Sequence, residues 1–170
     1  MTNNTKKQII LAASLLAAAG YATAHDQFGS LGISATATDC YVVACSDDGA
    51  GPPYQMYYDL ADLTPYKSPV PTIPTLSVLS GQVTKDLMAL TTSDLIVGDG
   101  NPGPSITVMG GAAASGQGSG SGNYFITVTK SKATLASAVN KGIQQYHFTY
   151  HCQTKQAVHT GTEITQLQDE

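Results

Sequence analysis

Residues 146–164 read Tyr-His-Phe-Thr-Tyr-His-Cys-Gln-Thr-Lys-Gln-Ala-Val-His-Thr-Gly-Thr-Glu-Ile. Side chains alternate across a strand, so Tyr146, Phe148, Tyr150 and Cys152 fall on one face and His147, Thr149 and His151 on the other. The aromatic face demands burial. A polar turn around Thr154, Lys155 and Gln156 is expected to send the chain back through Val158 to Ile164, a run rich in β-branched residues, which makes the stretch a β-hairpin. Three of the chain's four histidines lie in it.

Working outward, the cysteine in this stretch needs a partner, and only Cys40 and Cys45 are offered. They are five positions apart on one expected strand, Asp39 to Cys45, and therefore point to opposite faces, so they cannot bridge each other without a bulge. Cys45 shares a face with Tyr41 and Val43, the larger apolar set. A Cys45–Cys152 bridge between sheets follows, with Cys40 left free.

An early-strand cysteine, a penultimate-strand cysteine and Tyr150 two residues before Cys152 together resemble the immunoglobulin-like sandwich with its tyrosine corner. What the resemblance implies is a fold and nothing more.

The rest of the chain reads as short strands divided by turn signals. Leu31 to Ala37 alternates as a half-buried strand, after a polar segment at 25–30. Asp39 to Cys45 is apolar enough to be covered on both faces. Tyr54 to Leu60 is a tyrosine-rich strand, and four prolines between Leu63 and Pro74 mark a crossover loop. Thr75 to Leu79 and Gln82 to Leu90 read as two strands broken at Ser80-Gly81, with a helical turn over Val83 to Leu90 as the alternative, and Ser105 to Met109 and Asn123 to Thr129 read as two more strands. Residues 110–123 form a Gly-rich loop with almost nothing to bury. Lys130 to Asn140 has helical spacing and is the one short helix expected. The fold expected is all-β, an immunoglobulin-like antiparallel β-sandwich of about seven to nine strands.

Residues 1–24 have the form of a signal peptide: Lys6 and Lys7, an apolar run from Ile9 to Ala19, then Ala22-Thr23-Ala24. The run is too short to cross a bilayer, and residues 25–170 are of one-domain length. Secretion to the periplasm, cell surface or medium is expected, with no membrane span in the mature chain. Its loss removes two of 8 basic residues and none of the 12 acidic ones. The remaining basic residues are all lysine, so no planar guanidinium fork is available for phosphate and net charge opposes a polyanion. Nucleic acid is not an expected partner.

The sequence contains no Gly-x-Ser-x-Gly elbow, no His-Glu-x-x-His and no paired carboxylates on a recognisable scaffold, so a non-enzymatic role is expected. His147 and His151 share a face but lie roughly 13 Å apart along a strand, too far for one ion. A turn centred near Lys155 sets His151 opposite His159, close enough to share a metal. Signal cleavage would make His25 the first residue, whose amine and imidazole chelate copper as a pair. Two readings follow. The first is a secreted sandwich acting by surface contact, as an adhesin-like, matrix or assembly subunit that binds a protein or cell-surface partner or itself. The second is an exported copper-binding protein using His25, His151 and His159. Asp47 with Asp48, and Asp94 with Asp99, lack the spacing of a calcium loop and read as solvated turns. Tyrosines 54, 57, 58 and 66 are expected to face the core.

Overall fold

The computed structural model describes residues 25–34, 36–64, 79–94, 101–109, 120–130 and 143–170. Among the described residues nine strands run in chain order as β1 (His25–Leu31), β2 (Thr38–Ser46), β3 (Gln55–Asp62), β4 (Leu79–Lys85), β5 (Met88–Ser93), β6 (Ile106–Met109), β7 (Gly122–Lys130), β8 (Gln144–Gln153) and β9 (Gly161–Gln168). They form two antiparallel sheets packed as a sandwich, a four-stranded one in the order β1-β8-β3-β6 and a five-stranded one in the order β5-β4-β7-β2-β9. The expected all-β sandwich and its strand count are present. No helix among the described residues is long and apolar enough to cross a membrane.

Period-two alternation builds the core. Tyr41, Val43 and Cys45 of β2 and Tyr124, Ile126 and Val128 of β7 meet Met56, Tyr58 and Leu60 of β3 and Tyr146, Phe148, Tyr150 and Cys152 of β8, all buried. Phe148 sits at the centre, with ring contacts to Tyr41, Tyr58, Tyr146 and Tyr150 at centroid distances of 5.1 to 6.2 Å. Cys45 and Cys152 form the bridge that the face assignment requires, with Cα atoms 5.6 Å apart, and Cys40 is free. Closing a loop with a sequence separation of 107 is worth about 4–5 kcal/mol on the chain-entropy account. The bridge ties the two sheets together.

Several expectations shift. The stretch 146–164 is not a hairpin: β8 lies in the four-stranded sheet and β9 in the five-stranded one, where β9 pairs with β2. The segment between them is a corner from one layer to the other. Its hold on the other sheet is visible in Thr160, whose hydroxyl is within hydrogen-bonding distance of the Ser46 and Gly51 carbonyls at 3.0 and 2.8 Å. In the immunoglobulin arrangement the last strand stays beside the penultimate one; here β1 takes that place, paired with β8 from His25↔Tyr150 to Leu31↔Gln144. The N-terminal strand thus covers 25–31 instead of 31–37. Around residues 32–34 and 36–37 the chain passes from one sheet to the other, with Thr36 N–H donating to Ser34 Oγ at 3.2 Å and Ala37 N–H to the Ser34 carbonyl at 3.2 Å.

Gly81 does not break a strand but lies inside β4, because Tyr58 of the facing sheet occupies the space under it: a Cβ there would sit 2.3 Å from the Tyr58 hydroxyl. The reversal falls at Asp86 and Leu87, with Asp86 at φ 53°. β2 is central between β7 and β9, yet only one of its faces is buried. Most of the proline-rich crossover expected from Leu63 to Pro74, residues 75–78 of the strand expected up to Leu79, the expected helix beyond Lys130 and most of the Gly-rich loop lie outside the described residues.

Candidate functional site: the histidine corner and the neutral sheet face

β8 delivers His151 to the outer side of the four-stranded sheet, one residue before the disulfide. Beyond it the corner is closed by its own backbone, with Thr154 N–H donating to the Val158 carbonyl at 2.8 Å and Ala157 at φ 59°. His159 then bridges back to Gln153. The outcome is a column of rings: Tyr57 stacks on His151 at 4.6 Å and His151 on His159 at 3.9 Å. His151 is buried, and its Nε2 lies 2.9 Å from the Gln153 side-chain amide, which in turn accepts from Gln55 at 2.9 Å. With the amide donating, the proton of the neutral ring rests on Nδ1. Nδ1 of both histidines is buried without a hydrogen-bond partner.

Burial, then the nearby His159 and His25 charges, push His151 down to about 4. The ring is therefore neutral at physiological pH, the form that can ligate a metal.

His25, the third proposed ligand, pairs with Tyr150, and its ring lies 5.7 Å from that tyrosine. Directly paired residues share a face, so His25 stands on the Tyr150 side of the sheet while His151 points to the other. The structure brings His151 and His159 into contact and leaves His25 near them but across the sheet plane. Among the described residues no group of three or more His, Cys, Asp or Glu side chains is placed to hold a metal ion. His147 is occupied elsewhere, 3.0 Å from Asp26 and stacked on Phe28. The acidic loop is used for its own folding: Asp47 Oδ1 accepts from Gly49 and Gly51 N–H groups at 2.8 and 3.1 Å, and Asp48 Oδ1 accepts from Ala50 at 3.1 Å. Asp94 accepts from the Asp62 N–H, and Asp99 lies outside the described residues.

A second feature escaped the sequence. Alternation sends Cys40, Val42 and Ala44 of β2, Asn123, Phe125 and Thr127 of β7, Gln82 and Thr84 of β4, Ala89 and Thr91 of β5, and Glu163, Thr165 and Leu167 of β9 to the outside of the five-stranded sheet. Cross-strand pairing sets Thr165, Val42, Phe125 and Thr84 in one row. Phe125 is half exposed. Glu163 is the one charged side chain on this face among the described residues of these strands, in a chain with 12 acidic residues. The signal was present as alternation in residues 123–129, but the apolar look of 40–45 suggested a strand covered on both sides.

Compared with known proteins, the chain matches no protein-family model, and no curated protein or solved structure shows significant similarity to it.

Proposed function

We propose that this protein is an exported, disulfide-bridged sandwich of immunoglobulin-like character that has no enzymatic activity and acts by surface contact, as an adhesin-like, matrix or assembly subunit. The observation that carries the reading is the outer face of the five-stranded sheet. Solvated faces of acidic domains carry charge; a broad sheet surface of Thr, Gln, Ala, Val and Phe with a single carboxylate is suited to contact with another surface, where desolvated charges are costly. A buried Cys45–Cys152 disulfide is compatible with an oxidising extracellular setting. Chemical cross-linking of native material, followed by mass spectrometry, tests the reading: cross-links to a partner or a second copy are expected from this face. Cross-links absent from every face of the protein overturn it.

A second reading is copper binding by His25, His151 and His159. It is supported by the two buried, unpartnered Nδ1 atoms at the corner, which fit a metal ligand pair if His151 moves its proton to Nε2 and the Gln153 amide turns its oxygen toward it. Copper would supply a Lewis-acidic or redox centre at an otherwise inert corner. Calorimetric titration with copper tests it: protein beginning at His25 binds one equivalent, and an added N-terminal residue or His159→Ala weakens binding. Equal affinity of all three forms removes the site.

A further inference from the structure

We infer that Gln55, acting through Gln153, decides which ring nitrogen of His151 carries the proton, and so whether the histidine corner meets a ligand with an N–H or with a lone pair. This rests on the copper reading and names the residue that regulates its site.

Sheet register builds the relay. β3 and β8 set Gln55 opposite Gln153 and Tyr57 opposite His151, and the bridge from Gln153 to His159 extends the first of these rows. Gln153 lies two residues beyond His151, so both project from the same face of the sheet. Three polar groups then run in line: Gln55 Nε2 donates to Gln153 Oε1 at 2.9 Å, and Gln153 Nε2 donates to His151 Nε2 at 2.9 Å. An amide has a donor end and an acceptor end, so the line has a direction. Gln153 cannot turn by itself, because its NH2 would then face the NH2 of Gln55. Either both amides turn or neither does. Stacking of Tyr57 at 4.6 Å and His159 at 3.9 Å opposes rotation of the His151 ring, so the proton can be relocated while the ring stays in place.

Two arrangements satisfy the relay. In the one seen, His151 Nε2 accepts and the proton sits on Nδ1, a buried donor with no acceptor. In the reverse, Gln153 donates to Gln55 Oε1, His151 Nε2–H donates to Gln153 Oε1, and Nδ1 is a bare lone pair on a ring stacked against His159, whose own Nδ1 is buried without a partner. Each arrangement makes two hydrogen bonds, so the balance falls to whatever meets Nδ1: an oxygen acceptor favours the first and a copper ion the second. Copper affinity is then reduced by the fraction of molecules that hold the first.

The test is long-range proton–nitrogen NMR of metal-free protein beginning at His25, at pH 7, where His151 is neutral; it reads which ring nitrogen bears the proton. The parent is expected to carry it on Nδ1 of His151. Gln55→Glu can only accept at this position and is expected to move it to Nε2, whereas Gln55→Lys can only donate and is expected to leave it on Nδ1. Gln55→Met frees Gln153 without adding charge and is expected to tighten copper binding by roughly threefold to tenfold. A parent protonated on Nε2 overturns the inference, as does a tautomer that Gln55→Glu leaves unchanged or a copper affinity that Gln55→Met leaves unmoved. Copper binding with a tautomer indifferent to Gln55→Glu keeps the copper reading and removes the relay; a proton that moves as expected in protein that binds no copper keeps the relay and removes the copper reading.

Discussion

Two of the buried polar clusters among the described residues differ in kind. Asp39, Tyr41 and Tyr146 form one between the sheets: the Tyr146 hydroxyl donates to Asp39 Oδ2, Tyr41 lies 2.6 Å from the Tyr146 oxygen, and Glu170 N–H donates to Asp39 Oδ1 at 2.8 Å. His151 and His159 form the other at the corner beside the disulfide, and there two ring nitrogens have no partner. A buried polar group with its bonds made stabilises the fold, while one left unpaired costs free energy and is free to take a ligand or a proton. One cluster is masonry, and the other is an opening. Their responses to acid are also opposite in sign. Desolvation lifts the Asp39 carboxyl above its ordinary value, so the folded chain holds that proton more tightly and acidification just above pH 3.8 favours this cluster. His151 is lowered from 6.5 to about 4, so through that window the unfolded chain binds more protons and stability falls as pH drops.

Four measurements would break or sharpen this contrast. Replacing Cys45 and Cys152 together by alanine should cost about 4 kcal/mol in denaturant unfolding, by releasing the long loop next to the histidines; a loss under roughly 1 kcal/mol would mean the corner holds without its bridge. Tyr146→Phe should cost about 3 kcal/mol because it leaves the buried Asp39 Oδ2 without its donor, whereas Tyr41→Phe should cost only about 1 kcal/mol. Equal losses would show that Asp39 is not the hub. Lowering the pH from 7 to 4.5 should remove on the order of 2 kcal/mol, and His151→Phe should flatten that slope. A slope unchanged in the variant assigns the acid sensitivity elsewhere. Ala157→Gly should raise stability by roughly 0.5–1 kcal/mol, since a φ of 59° suits glycine; a loss would mean that the alanine methyl packs against the corner.

Much of the fold was legible because alternation is a local signal. Parity separated Cys40 from Cys45, the apolar set that Cys45 shares with Tyr41 and Val43 named the disulfide, and Tyr146 to Cys152 declared its buried face. Which strand pairs with which was less legible, because it depends on residues far apart in sequence. Nothing between Thr154 and Gly161 reveals that Thr160 bonds to Ser46 and Gly51, and that tie is what pulls β9 away from β8. β1 was missed for a related reason: His-Asp-Gln-Phe-Gly-Ser buries almost nothing itself, and its Gly29 is needed because the Tyr146 ring, distant in sequence, lies where a Cβ would be. At the candidate site, equal distance from Lys155 did foresee His151 meeting His159, although they meet across a corner. The face of His25 could not be read without knowing that β1 pairs with β8.

The disulfide also decides how the molecule responds to being pulled. Tension applied along the chain passes from β2 into β8 through the Cys45–Cys152 bond, so the span of 107 positions between them cannot lengthen while the bond holds. At about 3.4 Å per extended residue, that withholds roughly 360 Å of contour. The described segments outside that span, among them β1, most of β2, the corner and β9, can still be paid out. A subunit that bears load between neighbours would stretch a little at its ends and then stiffen, and a reductant would turn the same molecule into a long, compliant tether.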